Sequence, residues 1–260
     1  MTTACSDALR SIGLRAKAES LTSLVALATA KQFAVTQFVE ALVELERRER
    51  DECNLSTRLK MATLGVFKTI DQFDWNHPEK IDRSLYEELY QLDFVTSAHN
   101  VLFRGPSGIG KTMLAQNLAQ RAILHGHSAK FCTLATAIFD LLKQESMPAV
   151  ERRLRHYASV DLLVLDEVGY IPQDQRAGDM LYNIIARRHE KRATIITTNL
   201  PFKQWNTHFP GAACVGALVD RFAQHCHMMD IEGPSWRQRH AVARRSAAAG
   251  AKKKTAPANS

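Results

Sequence analysis

The sequence predicts an α/β fold: a three-layer arrangement with a parallel sheet covered by helices on both faces, preceded by a small helical domain. Three observations point there. Short apolar runs alternate with helical runs from residue 100 onward, a glycine-rich loop joins one such run to the helix after it, and the first 62 residues show helical spacing throughout.

Residues 6–62 read as helical. Leu9, Ile12 and Leu14 open a weak pattern, and Leu21, Leu24, Val25, Leu27 and Ala28 follow at helix spacing. Thr36 is a candidate N-cap for a third segment, ahead of Gln37-Phe38-Val39-Glu40. That segment runs through Leu42, Val43 and Leu45 into Glu46-Arg-Arg-Glu-Arg-Asp-Glu52, whose mixed charges suit an exposed helix with i,i+4 pairs. Residues 63–80, with Gly65, Pro78, Phe67, Phe73 and Trp75, read as a connection, and 81–98 as a helix with Ile81, Leu85, Leu89 and Leu92 on its apolar face.

Strands are expected at Asn100–Arg104, Ala129–Thr133, Asp161–Asp166 and Thr194–Thr198. Helices are expected at Thr112–Leu124, Ala135–Gln144, Val150–Tyr157 and Ala177–Glu190. The resulting domains are 1–66 (helical), 67–243 (α/β) and 244–260, an Ala/Lys/Ser-rich tail expected to be disordered.

Composition narrows the class. At 45% hydrophobic and 23% charged residues the chain suits a soluble globular protein, and it contains neither an apolar run of membrane-spanning length nor a signal-peptide pattern. Its five scattered cysteines contain no C-x-x-C pair, which points to a reduced, cytoplasmic setting. The net charge of +7 is carried by seven bases after Trp236: Arg237, Arg239, Arg244, Arg245, Lys252, Lys253 and Lys254. Such a tail suggests a polyanionic partner, most plausibly nucleic acid, bound without sequence preference; the alternative is a solvated tail that aids solubility.

The loop Gly105, Pro106, Ser107, Gly108, Ile109, Gly110, Lys111, Thr112 has the spacing G-x-x-x-x-G-K-T. Its glycines let the backbone turn tightly and aim N–H groups at phosphate oxygens, and the helix N-terminus adds its dipole. Lys111 offers a charge to β- and γ-phosphates and Thr112 a hydroxyl to Mg2+, so the loop implies ATP. Asp166, at the end of an apolar strand, is placed to hold Mg2+ through water, and Glu167 to polarise an attacking water. Asn199 ends the next strand, within reach of a γ-phosphate; the bland reading is a turn Asn before Pro201. Arg221, in Leu218-Val-Asp-Arg-Phe222, is a candidate arginine finger for a neighbouring subunit's site, or else a surface partner of Asp220.

These segments, with Asp166-Glu-Val-Gly-Tyr170-Ile-Pro, Thr197-Thr-Asn199-Leu-Pro-Phe202, Trp205, and Ile231-Glu-Gly-Pro-Ser-Trp236-Arg237, resemble the IstB family over about residues 6–240. These proteins are ATP-binding helpers of insertion-sequence transposases, related to DnaC-type helicase loaders in the AAA+ class. The resemblance implies a P-loop NTPase (AAA+) fold with Lys111, Thr112, Asp166, Glu167 and Asn199 at the Walker A, Walker B and sensor positions, and Arg221 in the finger segment. It also implies homo-oligomeric assembly on double-stranded DNA, target selection, recruitment of a separate transposase, and an N-terminal helical domain that helps bind DNA. Too little chain follows Arg221 for a lid with a second sensor arginine. A replicative helicase loader is the alternative function, and a small-molecule kinase would have no use for Asp166-Glu167 with Asn199.

Other signals weigh less. His225-Cys226-His227 invites a metal, yet neighbours on a strand point to opposite faces and no second ligand pair is evident. Trp205 and Phe209 read as packing residues, and His125 and His127 as surface residues. The clusters Arg187, Arg188, Lys191, Arg192 and Arg152, Arg153, Arg155 suit either helix ends or a DNA-facing surface.

Overall fold

A computed structural model describes residues 3–169, 175–209 and 213–239. The sequence readings on Tyr170-Ile-Pro and on the basic tail beyond Arg239, including the disorder expected at 244–260, lie outside the described residues. The chain divides into two compact units, Met1–Lys60 and Met61–Ser260.

The first unit holds α1 (Thr3–Ser11), α2 (Ala18–Ala30) and most of α3 (Val35–Ala62). Ala16, Leu21 and Leu45 are its buried centre, flanked by Leu9, Leu24 and Leu42. Two expectations change here. Thr36 is not the cap: α3 starts at Val35, and Gln37 Oε1 accepts from the Ala34 amide (2.9 Å). The charged run is also not simply an exposed face. Arg50 does pair with Glu46 (2.7 Å), but Glu46 Oε2 also accepts the amides of Arg15 and Ala16 (2.8 Å each), and Glu49 Oε2 accepts that of Lys17 (2.6 Å). These carboxylates satisfy amide donors at the start of α2, where Lys17 offers no side-chain cap.

The second unit follows with α4 (Arg83–Leu89), α5 (Asp93–Thr96), β1 (Asn100–Arg104), α6 (Lys111–Leu124), β2 (Ala129–Thr133), α7 (Leu134–Leu142) and α8 (Met147–Ser159). It continues with β3 (Leu162–Val168), α9 (Gln175–Arg188), β4 (Ala193–Thr198), α10 (Trp205–His208), α11 (Val215–Ala223) and β5 (Cys226–Asp230). The helix expected over 81–98 is two helices, broken where Leu92 turns left-handed (φ 73°). Asp82 caps α4 by accepting from Leu85 N (2.9 Å).

All strand pairs are parallel, in the order β2-β3-β4-β1-β5. The element reading stopped at four strands; β5 adds an edge strand beside β1. Leu102, Leu163, Leu165 and Ile196 join the core built with α7, α8, α9 and α11, together with Trp205 and Phe209, which are packing residues as expected. The intervening Val101, Phe103, Val164 and Ile195 are also fully buried, so by strand alternation they point to the opposite face. This is the three-layer parallel architecture expected.

One residue of the basic clusters, Arg188, is internal, and three others are held in ion pairs. Arg188 is 1% exposed and donates to the carbonyls of Tyr157 (2.9 Å), Val160 (2.8 Å) and Ala193 and to Thr194 Oγ1 (2.9 Å). Arg187 grips Glu151 with two bonds of 2.7 Å, Arg192 pairs with Asp161, and Arg153 with Asp140. Lys191, Arg152 and Arg155 are exposed, and Arg153, Arg187 and Arg192 stay partly exposed beside their carboxylates, so burial removes Arg188 alone from the DNA-facing alternative.

Candidate ATP site

The loop between β1 and α6 sits at the carboxyl end of the sheet, where β1 and β4 run side by side; Gly105 N donates to Thr198 O (3.1 Å). Gly110 is left-handed (φ 106°), and a Cβ there would meet the Phe73 ring; Gly108 (φ 80°) has Ser235 packed against the same place. A side chain at either position would fill the cradle. Lys111 Nζ donates to the carbonyls of Gly105 and Pro106 (2.7 Å each), so the ammonium hangs over the loop. Burial pushes Lys111 down to about 8, against the pull of Asp166 and Glu167 and with a smaller push from Arg237. A cation so poorly solvated gains strongly from an incoming phosphate.

Asp166 is 4% exposed at the end of β3. Thr112 Oγ1 donates to its two oxygens (3.0 and 3.1 Å), and Thr197 Oγ1 to Oδ1 (2.5 Å). Hydroxyl and carboxylate oxygens side by side are the hard-oxygen donors that suit Mg2+. The Thr112–Asp166 pair thus fits the ion, just as the open glycine cradle fits a phosphate chain.

At Glu167 the sheet departs from regular alternation. The β3–β4 register shifts between Leu165 and Val168, and Glu167 takes φ 59°. Its amide donates to Thr197 Oγ1 (3.0 Å), while its carboxylate side is exposed and lines the cleft. The bulge turns two successive acids to different tasks: Asp166 inward to the threonines, Glu167 outward to the cleft. Asn199 lines the same cleft, its Oδ1 lying where a Cβ on Gly169 would touch it.

The cleft, about 340 Å³, thus gathers Ser107 to Thr112 with Glu167 and Asn199. It does not include Arg221. That guanidinium donates to Tyr182 Oη (2.6 Å) and lies 4.9 Å from the ring centre, so it neither reaches its own subunit's loop nor pairs with Asp220.

Sequence reading missed the cleft's other walls. Phe73 stacks edge-on with Trp75 (4.8 Å), Trp75 leans on Tyr86 (5.4 Å), and Tyr86 Oη donates to Leu114 O (3.2 Å), tying the connection to α6. Gln116 and Asn117 donate to the carbonyls of Leu64 (2.8 Å) and Lys68 (3.0 Å). Trp236 and Arg237 close the far side. The aromatic density of 67–75 was the available signal for the first wall.

His225 and His227 both lie beside His99, with ring centres 5.3 and 5.8 Å from its own, yet the described residues include no cluster of three or more His, Cys, Asp or Glu side chains arranged to hold a metal.

Comparison with known proteins agrees with this geometry. The family model described as IstB-like ATP binding protein matches residues 7–244. The ATP-binding protein of insertion sequence IS21 from Pseudomonas aeruginosa is 34% identical over 215 residues, covering 83% of this chain and 81% of the relative. That of IS5376 from Geobacillus stearothermophilus is 31% identical over 222 residues, covering 85% and 88%. In fold, the chain is similar to DnaI (TM-score 0.52, 19% identity, 63% of this chain and 90% of that one). It is likewise similar to the replication initiator DnaA bound to AMPPCP and single-stranded DNA (TM-score 0.54, 20% identity, 66% and 52%). The fold is that of a P-loop NTPase of the AAA+ class, and the chain belongs to the IstB-like family of ATP-binding proteins, with the cleft at 105–112 as its candidate ATP site.

Proposed function

We propose that this ATPase regulates DNA transposition: it assembles as a homo-oligomer on double-stranded DNA, helps choose the target site, and recruits or stimulates the transposase of the same insertion sequence in the cytoplasm. The observation that carries the reading is the hydrogen-bonded chain Thr112–Asp166–Thr197–Glu167 beside the glycine loop, built for hydrolysis rather than for passing phosphate to an acceptor. Relatives named for insertion sequences, aligned over more than four-fifths of both chains, supply the transposition context.

Lys111 leaves the loop carbonyls for the β- and γ-phosphates of ATP. Thr112 and Asp166 would hold Mg2+, which would supply neutralisation of charge on the phosphate oxygens. Glu167 accepts the proton of the attacking water, and Asn199 orients that water against the terminal phosphate. Arg221, turned away from its own loop and braced by Tyr182, stabilises charge in a neighbouring subunit's site. ATP then acts as a switch for assembly, and hydrolysis turns the assembly over. The described base Arg239, with those of the tail, contributes to the hold on DNA.

Phosphate release and particle size, measured with and without duplex DNA, test this. Wild type should hydrolyse ATP slowly and faster on DNA, forming larger particles there. Glu167→Gln should keep ATP binding and assembly while losing most turnover. If DNA changes neither rate nor size, the assembly model fails.

A further inference from the structure

Tyr182 and Arg221 meet at the rim of two helices packed side by side. Leu181, Ile184 and Ile185 of α9 share one core with Leu218 and Phe222 of α11. Tyr182 directly follows Leu181 and Arg221 directly precedes Phe222, so each is carried by a buried neighbour and turned about 100° from it around its helix. The end of α11 is tied down as well. Asn100 Nδ2 donates to Phe222 O (2.9 Å) and Asn100 Oδ1 accepts from Thr194 N (3.1 Å), which bonds the carbonyl beside Arg221 to β1 and the start of β4. The backbone beneath Arg221 is therefore fixed, and what remains to be set is the direction of a long side chain.

Tyr182 sets that direction. Its Oη accepts from Arg221 Nη1 (2.6 Å), and the guanidinium carbon lies 4.9 Å from its ring centre, so one side chain supplies both a polar and a π contact. Both residues are half-buried. Other arginines of this chain are held differently: carboxylates grip Arg104, Arg153, Arg187 and Arg192 and cancel much of their charge on the spot. Among the described residues no carboxylate pairs with Arg221, although Asp220 is its exposed neighbour in the chain. A phenol oxygen orients the guanidinium without neutralising it and leaves the rest of its fork uncommitted. An unbraced arginine would sample many rotamers, and ordering it anew at each turnover would slow phosphoryl transfer.

We infer that Tyr182 is the positioning residue of Arg221: its hydroxyl holds the guanidinium in place, still charged, for the ATP site of a neighbouring subunit. This rests on the reading of Arg221 as a group that serves another subunit's site. Tyr182 lies outside the cleft of its own subunit and acts through the arginine, so its loss lowers turnover while the phosphate loop binds ATP as before.

Phosphate release by the full chain with duplex DNA tests it in Tyr182→Phe and Tyr182→Leu, each alone and mixed with Glu167→Gln. Phenylalanine keeps the ring and removes only the hydroxyl, so its thermal midpoint should match wild type. Losing one hydrogen bond to a charged group should lower kcat about 10-fold. KM for ATP should move less than about 3-fold, because ground-state binding is untouched. Leucine, which removes the ring too, should be at least as slow. In an equal mixture the Glu167→Gln chains lend intact Tyr182–Arg221 pairs to the sites of Tyr182→Phe chains. Turnover per Tyr182→Phe chain should then rise about fivefold, since roughly half of its sites meet an intact neighbour. Wild-type kcat in Tyr182→Phe, or a joint loss of kcat, ATP affinity and thermal midpoint, would overturn the inference. Arg221→Ala, mixed with Glu167→Gln in the same way, separates the two levels of the argument. If Arg221→Ala gains on mixing and Tyr182→Phe does not, the inference alone is lost; if Arg221→Ala gains nothing, the neighbouring-subunit role of Arg221 fails first.

Discussion

Replacing Thr197 by valine removes one hydroxyl and almost no volume. That hydroxyl is 1% exposed, donates to Asp166 Oδ1 (2.5 Å) and accepts the Glu167 amide (3.0 Å). A charged and a neutral hydrogen bond lost together are worth about 3–4 kcal/mol. Thr112 still donates to both Asp166 oxygens, so the carboxylate is not orphaned and about 2–3 kcal/mol is the better figure. Part of that loss will appear as lower stability and part as a bulge no longer pinned, which lets Glu167 wander. A displacement on the order of 1 Å costs about 100-fold in a positioned reaction, so kcat should drop about 10- to 100-fold. ATP affinity, set by the loop, should move less than about 3-fold. Phosphate release against ATP concentration, with calorimetric binding on the same samples, separates the two. Thr197→Ser should recover most turnover, and adding Thr197→Val to Glu167→Gln should cost little more. Wild-type kcat in Thr197→Val, or a serine variant no better than valine, would refute the positioning argument.

Other outcomes follow from the same contacts. Arg188→Ala should destabilise the protein by about 3–5 kcal/mol, because it strands the carbonyls of Tyr157, Val160 and Ala193 in the interior; a normal denaturation midpoint with weakened DNA binding would restore the surface reading. Stability should also fall on acidification. His99 is held below its ordinary value of 6.5 by burial and by the neighbouring His225 and His227, and burial likewise lowers His156 and His208. The unfolded chain then takes up more protons than the folded one, so stability is full above about pH 6.5 and declines below it. Denaturant midpoints at pH 8 and 5.5 should differ, and less so in His99→Asn; a flat profile would contradict the sign.

Much of the site was legible because its chemistry is tied to chain spacing. The loop, Asp166, Glu167 and Asn199 all lie at the carboxyl ends of strands that apolar runs announce, and the structure brings Ser107–Thr112, Glu167 and Asn199 into one cleft with Asp166 bonded to Thr112 beneath it. Thr197 was hidden because a threonine inside Thr194-Ile-Ile-Thr-Thr198 reads as strand propensity, and only strand pairing shows it beneath Asp166. The fifth strand escaped because Cys226-His-Met-Met-Asp230 has no apolar run, as befits an edge. Arg188 was misjudged for a different reason. It follows Leu181 by seven residues and Ile184 by four, so helical spacing already put it on the buried face, but a run of bases masks that pattern. Glu49 repeats the lesson, one turn beyond Leu45 on the face that packs on α2.

Backbone strain singles out Glu167. Besides glycine, six described residues have left-handed φ: Gln32, Thr63, Leu92, Ala98, Glu190 and Glu167. Five of them follow or precede a helix, where a left-handed residue ends one turn of chain and starts the next. Glu167 alone lies within a strand, paired on both sides of the bulge, where such a φ costs about 1–3 kcal/mol and gains nothing for the sheet. Folding alone would favour a regular strand here, with Glu167 and Asp166 on opposite faces and Thr197 free of both. The bulge instead sets one acid beside Thr112 and its neighbour toward the cleft, with one threonine holding both. On the proposed mechanism the strain serves the separate tasks of the two carboxylates, which is why the site's exposed acid sits on a left-handed backbone.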